Sequence, residues 1–85
     1  MRERYGWHAH GQRGLLARRL VEAGCPFVTM VWENPFPGKP IPAGCTYNWD
    51  SHAVNCHIFT DAKYRLPYYD RAVTALIEDV YSRGL

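Results

Sequence analysis

Residues 26–33, Pro26-Phe27-Val28-Thr29-Met30-Val31-Trp32-Glu33, decide how this chain is expected to fold. Phe27, Val28, Met30, Val31 and Trp32 form a nearly continuous run of β-branched and aromatic side chains, closed by Pro26 before it and Asn34-Pro35 after it. A short apolar run without polar alternation predicts a strand covered on both faces, as in a parallel sheet.

The upstream stretch "GQRGLLARRLVEAG" has helical periodicity. Leu16, Ala17, Leu20, Val21 and Ala23 share one side of a 3.6-residue turn; Arg18, Arg19 and Glu22 fall on the other and read as a solvated face. Gly24 and Pro26 supply the stop, so the spacing predicts a helix over 12–23. Helix, tight turn and buried strand make the αβ half of an α/β unit.

Downstream, residues 33–57 carry four of the six prolines and two glycines, and regular structure gives way to a long loop. If the strand is parallel, this loop leaves its carboxyl end, the edge where open α/β sheets bind ligands. The last stretch, "LPYYDRAVTALIEDVYSRG", has an apolar stripe of Tyr69, Val73, Leu76, Ile77 and Val80, with Asp70, Arg71, Glu78 and Asp79 off it. Pro67 suits a first helical turn, and "FTDAKYR" before it reads as a helical turn that bends or restarts there. One strand has no neighbours for its backbone groups, so the expected architecture is a piece of a larger fold.

Composition narrows the function classes. Eighty-five residues, 47% hydrophobic and 21% charged, suit one small globular unit with a marginal core. A net charge of +2, with scattered basic residues, gives no nucleic-acid footprint. No apolar run is long enough to span a membrane, and "MRERYGWHAHGQ" lacks the apolar centre of a secretory signal. Cys25, Cys45 and Cys56 are odd in number and lack a C-x-x-C pair, which fits neither a disulfide framework nor a closed cysteine zinc site.

The segments "YGWHAHGQRGLLARRLVEAGCPFVTMVW", "WDSH" and "LPYYDRAVTALIEDVYSRGL" together resemble the DUF1501 family, sulfatase-like proteins abundant in planctomycetes and related bacteria. The likeness runs from about Tyr5 to Leu85 in unbroken order. It departs from the family pattern at Ser51, where Thr is usual, and after His52. The resemblance implies an alkaline-phosphatase-like three-layer α/β fold with a largely parallel sheet, of which these residues would be an internal helix–strand–long loop–helix fragment, truncated at both ends. It also implies a parent that is an exported, metal-dependent hydrolase of phosphoric- or sulfuric-ester type. The family's Gly-Glu-Phe-Gly-Arg-Thr and Gly-Arg-Asp-His segments are not among these residues, so the fragment itself is expected to be inactive, its partner being the remainder of its own fold. Two alternatives stay open: a non-enzymatic binding or structural module of the same fold, and a small standalone metal-binding protein.

Within "YNWDSH", Asp50 and His52 are the candidate site. A hard carboxylate oxygen and a borderline imidazole nitrogen suit zinc or a similar divalent metal, and residues two apart in extended chain share a side. The structural reading of the same residues is that Asp50 caps the next helix and His52 braces the loop. His57 is a weaker third candidate ligand. His8 and His10 read as structural residues ahead of the first helix. Cys56 beside His57 is adjacency in sequence only, since catalytic pairs meet in space.

Overall fold

A computed structural model describes residues 1–50, 52 and 56–85. It holds three helices: α1, Arg2–Tyr5; α2, Ala9–Glu22; and α3, Ile58–Ser82. Among the described residues there is no strand and no sheet. The expected α/β fragment with a parallel sheet is therefore overturned, and the fold is helical.

The reason lies in residues 27–33 themselves. A strand needs neighbouring backbone to pair with, and here side chains take the carbonyls instead. Arg13 Nη1 donates to Val31 O at 2.8 Å, the Trp49 indole N–H donates to Trp32 O, Arg65 donates to Glu33 O, and Cys25 Sγ lies 3.3 Å from Phe27 O. Burial also alternates: Val28, Met30 and Trp32 are half-buried, whereas Phe27 is 82% exposed and Val31 57%. The run is covered on one face and not two, and the apolar composition concealed that alternation.

The helix expected at 12–23 is present but begins earlier, at Ala9, because His8 caps it: the ring Nδ1 accepts from Gly11 N–H at 3.1 Å. Helix α3 passes through Pro67 without restarting. Proline there removes one intrahelical bond and crowds the carbonyl four residues back. The helix persists because it is anchored on both sides of the proline. Asp61 and Arg65 before it, and Ala72, Ala75 and Asp79 after it, form one buried row at helical spacing.

That row differs from the one the sequence suggests. Tyr69 and Ile77 are exposed, as are Leu16, Leu20 and Val21 of α2. Arg18 and Asp79, read as solvated, are buried. The apolar core is small: Tyr5, Leu15 and Ala75, with Leu76 beside them. What joins the helices is a desolvated ion network. Asp79, 0% exposed, accepts from Tyr5 OH (2.8 Å), Arg18 Nε (2.6 Å) and Arg83 Nε (2.7 Å). Glu22 closes it with Arg18 at 3.1 Å and Arg83 at 3.0 Å. Burial works to raise the Asp79 carboxyl, but the hydrogen bonds from Arg83, Tyr5 and Arg18 outweigh it and bring it down to about 2. Burial and the same carboxylate push the Tyr5 hydroxyl up to about 12.

The three helices also meet through missing side chains. A Cβ on Gly11 would stand 2.3 Å from Tyr5 O and 2.4 Å from Gly6 O, and one on Gly14 would press on Trp32 and the Tyr5 ring. Glycine lets the α1 backbone lie directly on α2.

Two outcomes follow from this seam. Asp79→Ala leaves Arg18 Nε and the Tyr5 hydroxyl buried without their acceptor, with Glu22 alone still pairing Arg18, and is expected to cost about 3 kcal/mol, which in so small a domain abolishes a cooperative urea transition; an unchanged midpoint would contradict the network's role. Gly11→Ala, forced against backbone, is expected to cost about 2 kcal/mol in the same measurement.

Candidate functional site

The loop between α2 and α3 is fastened to α3 by Arg65 and Asp61. Arg65 is buried and donates to Glu33 O and to Thr46 O, and its guanidinium lies 3.3 Å from Asp61 Oδ1. Asp61 in turn accepts from Thr46 N–H at 2.9 Å. Above this post lies Trp49: the Arg65 guanidinium is 5.0 Å from its ring centroid, a cation–π distance. Tyr69 meets the same indole edge-on at 5.6 Å, and the indole N–H is spent on Trp32 O. The first half of the loop is pinned separately. Asn34 and Pro35 are buried, Asn34 Oδ1 accepts from Phe36 N–H (2.9 Å), and Ala9 N–H donates to Pro35 O (2.7 Å).

Trp49 thus sets where its neighbour Asp50 begins. Asn48 Oδ1 accepts from Asp50 N–H at 2.9 Å, a side-chain turn that presents Asp50 outward. His52 Nε2 lies 2.6 Å from Asp50 Oδ1. The two sequence-derived ligands therefore come together, on the surface, with side chains 74% (Asp50) and 59% (His52) exposed. Asp50 also borders a cleft of about 320 Å³ lined with Trp49, Ile58, Asp61, Ala62, Arg65 and Leu66.

His57 has a different place. It is the residue that heads α3, the role the sequence reading offered to Asp50: His57 Nδ1 lies 3.4 Å from Thr60 N–H and 3.1 Å from Thr60 Oγ1. Among the described residues, no three His, Cys, Asp or Glu side chains form a group able to hold a metal ion. Cys25, Cys45 and Cys56 are free thiols, with burial and then the Asp61 charge pushing Cys45 above the ordinary thiol range. No helix among the described residues is long and apolar enough to cross a membrane.

The donor set of the pair fits a divalent cation in kind. Two ligand atoms on a tetrahedral zinc at about 2 Å stand roughly 3.3 Å apart. The observed oxygen and nitrogen need only open by under about 1 Å as a cation takes the place of the shared proton.

A family model described as "Protein of unknown function (DUF1501)" matches residues 1–85. This chain belongs to the DUF1501 family. No curated protein and no solved structure matches it.

Sequence reasoning named Asp50 and His52 as candidate ligands, the structure brings the two side chains together, and what holds them was missed. The signal was present in Asp61 and Arg65, opposite charges four apart on a helix, but spacing alone does not tell a surface pair from a buried one. Arg65→Met removes the guanidinium while keeping bulk and leaves Asp61 buried without its cation. The expected loss is about 3 kcal/mol or more, with a red-shifted tryptophan emission as Trp49 comes away from α3. Unaltered emission would show that Trp49 is held by other contacts.

Proposed function

We propose that this DUF1501 chain contributes Asp50 and His52 as two ligands of a divalent cation, zinc or a similar borderline ion. The parent is a metal-dependent hydrolase acting on phosphoric or sulfuric esters. One observation carries the ligand assignment: a carboxylate oxygen and an imidazole nitrogen 2.6 Å apart, open to solvent at the rim of a cleft. His52 and Asp50 are exposed, so an incoming ion reaches them without unpacking a core. The hydrolase class rests on the ligand chemistry and on what the likeness of "WDSH" and its flanking segments to the DUF1501 pattern implies, a sulfatase-like parent.

A catalytic zinc takes three protein ligands and keeps one position for water or substrate. Two ligands fall short of that, so the remaining groups come from outside this pair. When bound, the cation supplies Lewis-acid stabilisation to an ester oxygen. Asp50 and His52 hold it at the loop edge, while Trp49 and Arg65 fix the position of that loop. By themselves the 85 residues are expected to turn over no aryl phosphate or sulfate ester.

Calorimetric titration of the chain with zinc tests the pair directly. Binding of one ion per chain is expected, weakened at least about tenfold by either Asp50→Ala or His52→Ala, with tryptophan emission of the metal-free variants unchanged. Equal zinc affinity in wild type and both variants would remove the assignment.

A further inference from the structure

Buried side-chain nitrogens without a hydrogen-bond partner collect in one region. Among the described residues they are His8 Nε2, both ring nitrogens of His10, Trp32 Nε1 and Arg65 Nε. These groups are neighbours. The His8 and His10 rings meet edge-on at 6.0 Å, His10 lies 5.8 Å from Trp32 and 6.5 Å from Trp49, and Arg65 covers Trp49. His10 is 0% exposed and His8 8%.

The same cluster is where α2 begins. The bond from Gly11 N–H to His8 Nδ1 exists only while that nitrogen carries no proton, which places the ring's single proton on Nε2. A second proton removes the acceptor and sets two N–H donors against each other. It also puts positive charge at the positive end of the helix. Asp, Asn, Ser or Thr at this position would cap without that sensitivity.

Among the described residues, no carboxylate acts on either ring to compensate such a charge. Tyr68 of α3 and Phe36 of the loop cover His8 at 5.0 and 6.3 Å. The charges acting on the pair are cationic: Arg71 of α3 on His8, and His8, Arg65 of α3 and Arg13 of α2 on His10. Burial first, and these cations second, lower His8 and bring His10 to about 4. Gly6 seals the far side, since a Cβ there would stand 2.3 Å from His8 Nε2.

We propose that the buried His8–His10 pair is a proton-operated latch, closed at neutral pH and opened by mild acid, which frees the start of α2 from α3 and from the loop carrying Trp32 and Trp49. The linkage is direct. Ala9 N–H donates to Pro35 O at 2.7 Å, so the first residue of α2 is also a tether of the loop. Folding depresses the proton affinity of both rings, so their deprotonated contribution is complete above the unfolded value near 6.5 and fades as pH falls, that of His10 down to about 4. Asp79 acts lower, between about 4 and 2, so the two acid responses separate.

The test uses the whole chain with a chelator present, so that Asp50 and His52 hold no metal. Far-ultraviolet circular dichroism and tryptophan emission are followed from pH 7.5 to 4. The wild type is expected to lose helicity and shift its emission to the red reversibly, with a midpoint between 6.5 and 4. His8→Asn keeps a capping acceptor that does not titrate; His10→Phe keeps a ring that takes no proton. Each is expected to lower the midpoint, and at pH 4.5 the folded-to-unfolded ratio of His10→Phe is expected to exceed that of the wild type at least tenfold, about one pKa unit of linkage. Should His8→Asn fail to fold, His10→Phe alone decides. A wild-type signal flat to pH 4, a chain without a folded baseline at pH 7.5, or a midpoint unmoved in His10→Phe would each overturn the latch.

Discussion

The three helices among the described residues meet at one carboxylate. Asp79 lies on α3, accepts a hydrogen bond from the Tyr5 hydroxyl at the end of α1, and accepts another from the Arg18 guanidinium in the middle of α2. A buried ion pair seldom gains much over a well-packed apolar contact, because desolvation consumes most of the Coulomb attraction. Its effect here is of another kind. Among the described residues the buried hydrophobic side chains are Tyr5, Leu15 and three alanines, so apolar burial alone does not specify how three helices should meet. An unpaired charge in that seam is far worse than a displaced leucine. The network acts by penalising every arrangement in which Arg18 and Asp79 fail to find each other.

The helices were legible in the sequence; their inward faces were not. Periodicity at Leu16, Leu20 and Val21, and at Tyr69 and Ile77, shows that a helix is amphipathic, yet these side chains are exposed. The buried rows consist of Gly11, Gly14, Leu15 and Arg18 on one helix and Asp61, Arg65, Ala72, Ala75 and Asp79 on the other. Small and charged residues carry little hydropathy, so a hydropathy argument passes over them. The α/β expectation failed for a related reason. Strand propensity in 27–32 is real, but propensity needs backbone partners, and Arg13, Trp49 and Arg65 took up the carbonyls.

The candidate site was legible in a narrower sense. Asp50 and His52 were named by residue type and spacing, and the structure joins them. Their support was hidden, because it comes from Arg65 and Trp32, remote in sequence, through main-chain carbonyls that no motif records. The histidine caps were equally hidden. Histidine is not a preferred N-cap type, and nothing in "WHAHGQ" or "NCHIF" announces that the ring nitrogens accept from the first turns of α2 and α3.

The glycine and alanine seam between α1, α2 and α3 also sets how this sequence is free to drift over time. Positions whose side chains stand in solvent, such as Phe27, Ile77 and Tyr81, accept exchange in either direction of size. Gly11 accepts it in neither, since it has no smaller alternative and backbone leaves no room for a larger one, and Gly14 takes a methyl only if the Trp32 and Tyr5 rings give way. The interior is bounded from above by volume, an inversion of the usual core, where losing a methyl group is the common injury. Divergent copies of this chain are therefore expected to vary most in their large apolar residues and least in their smallest.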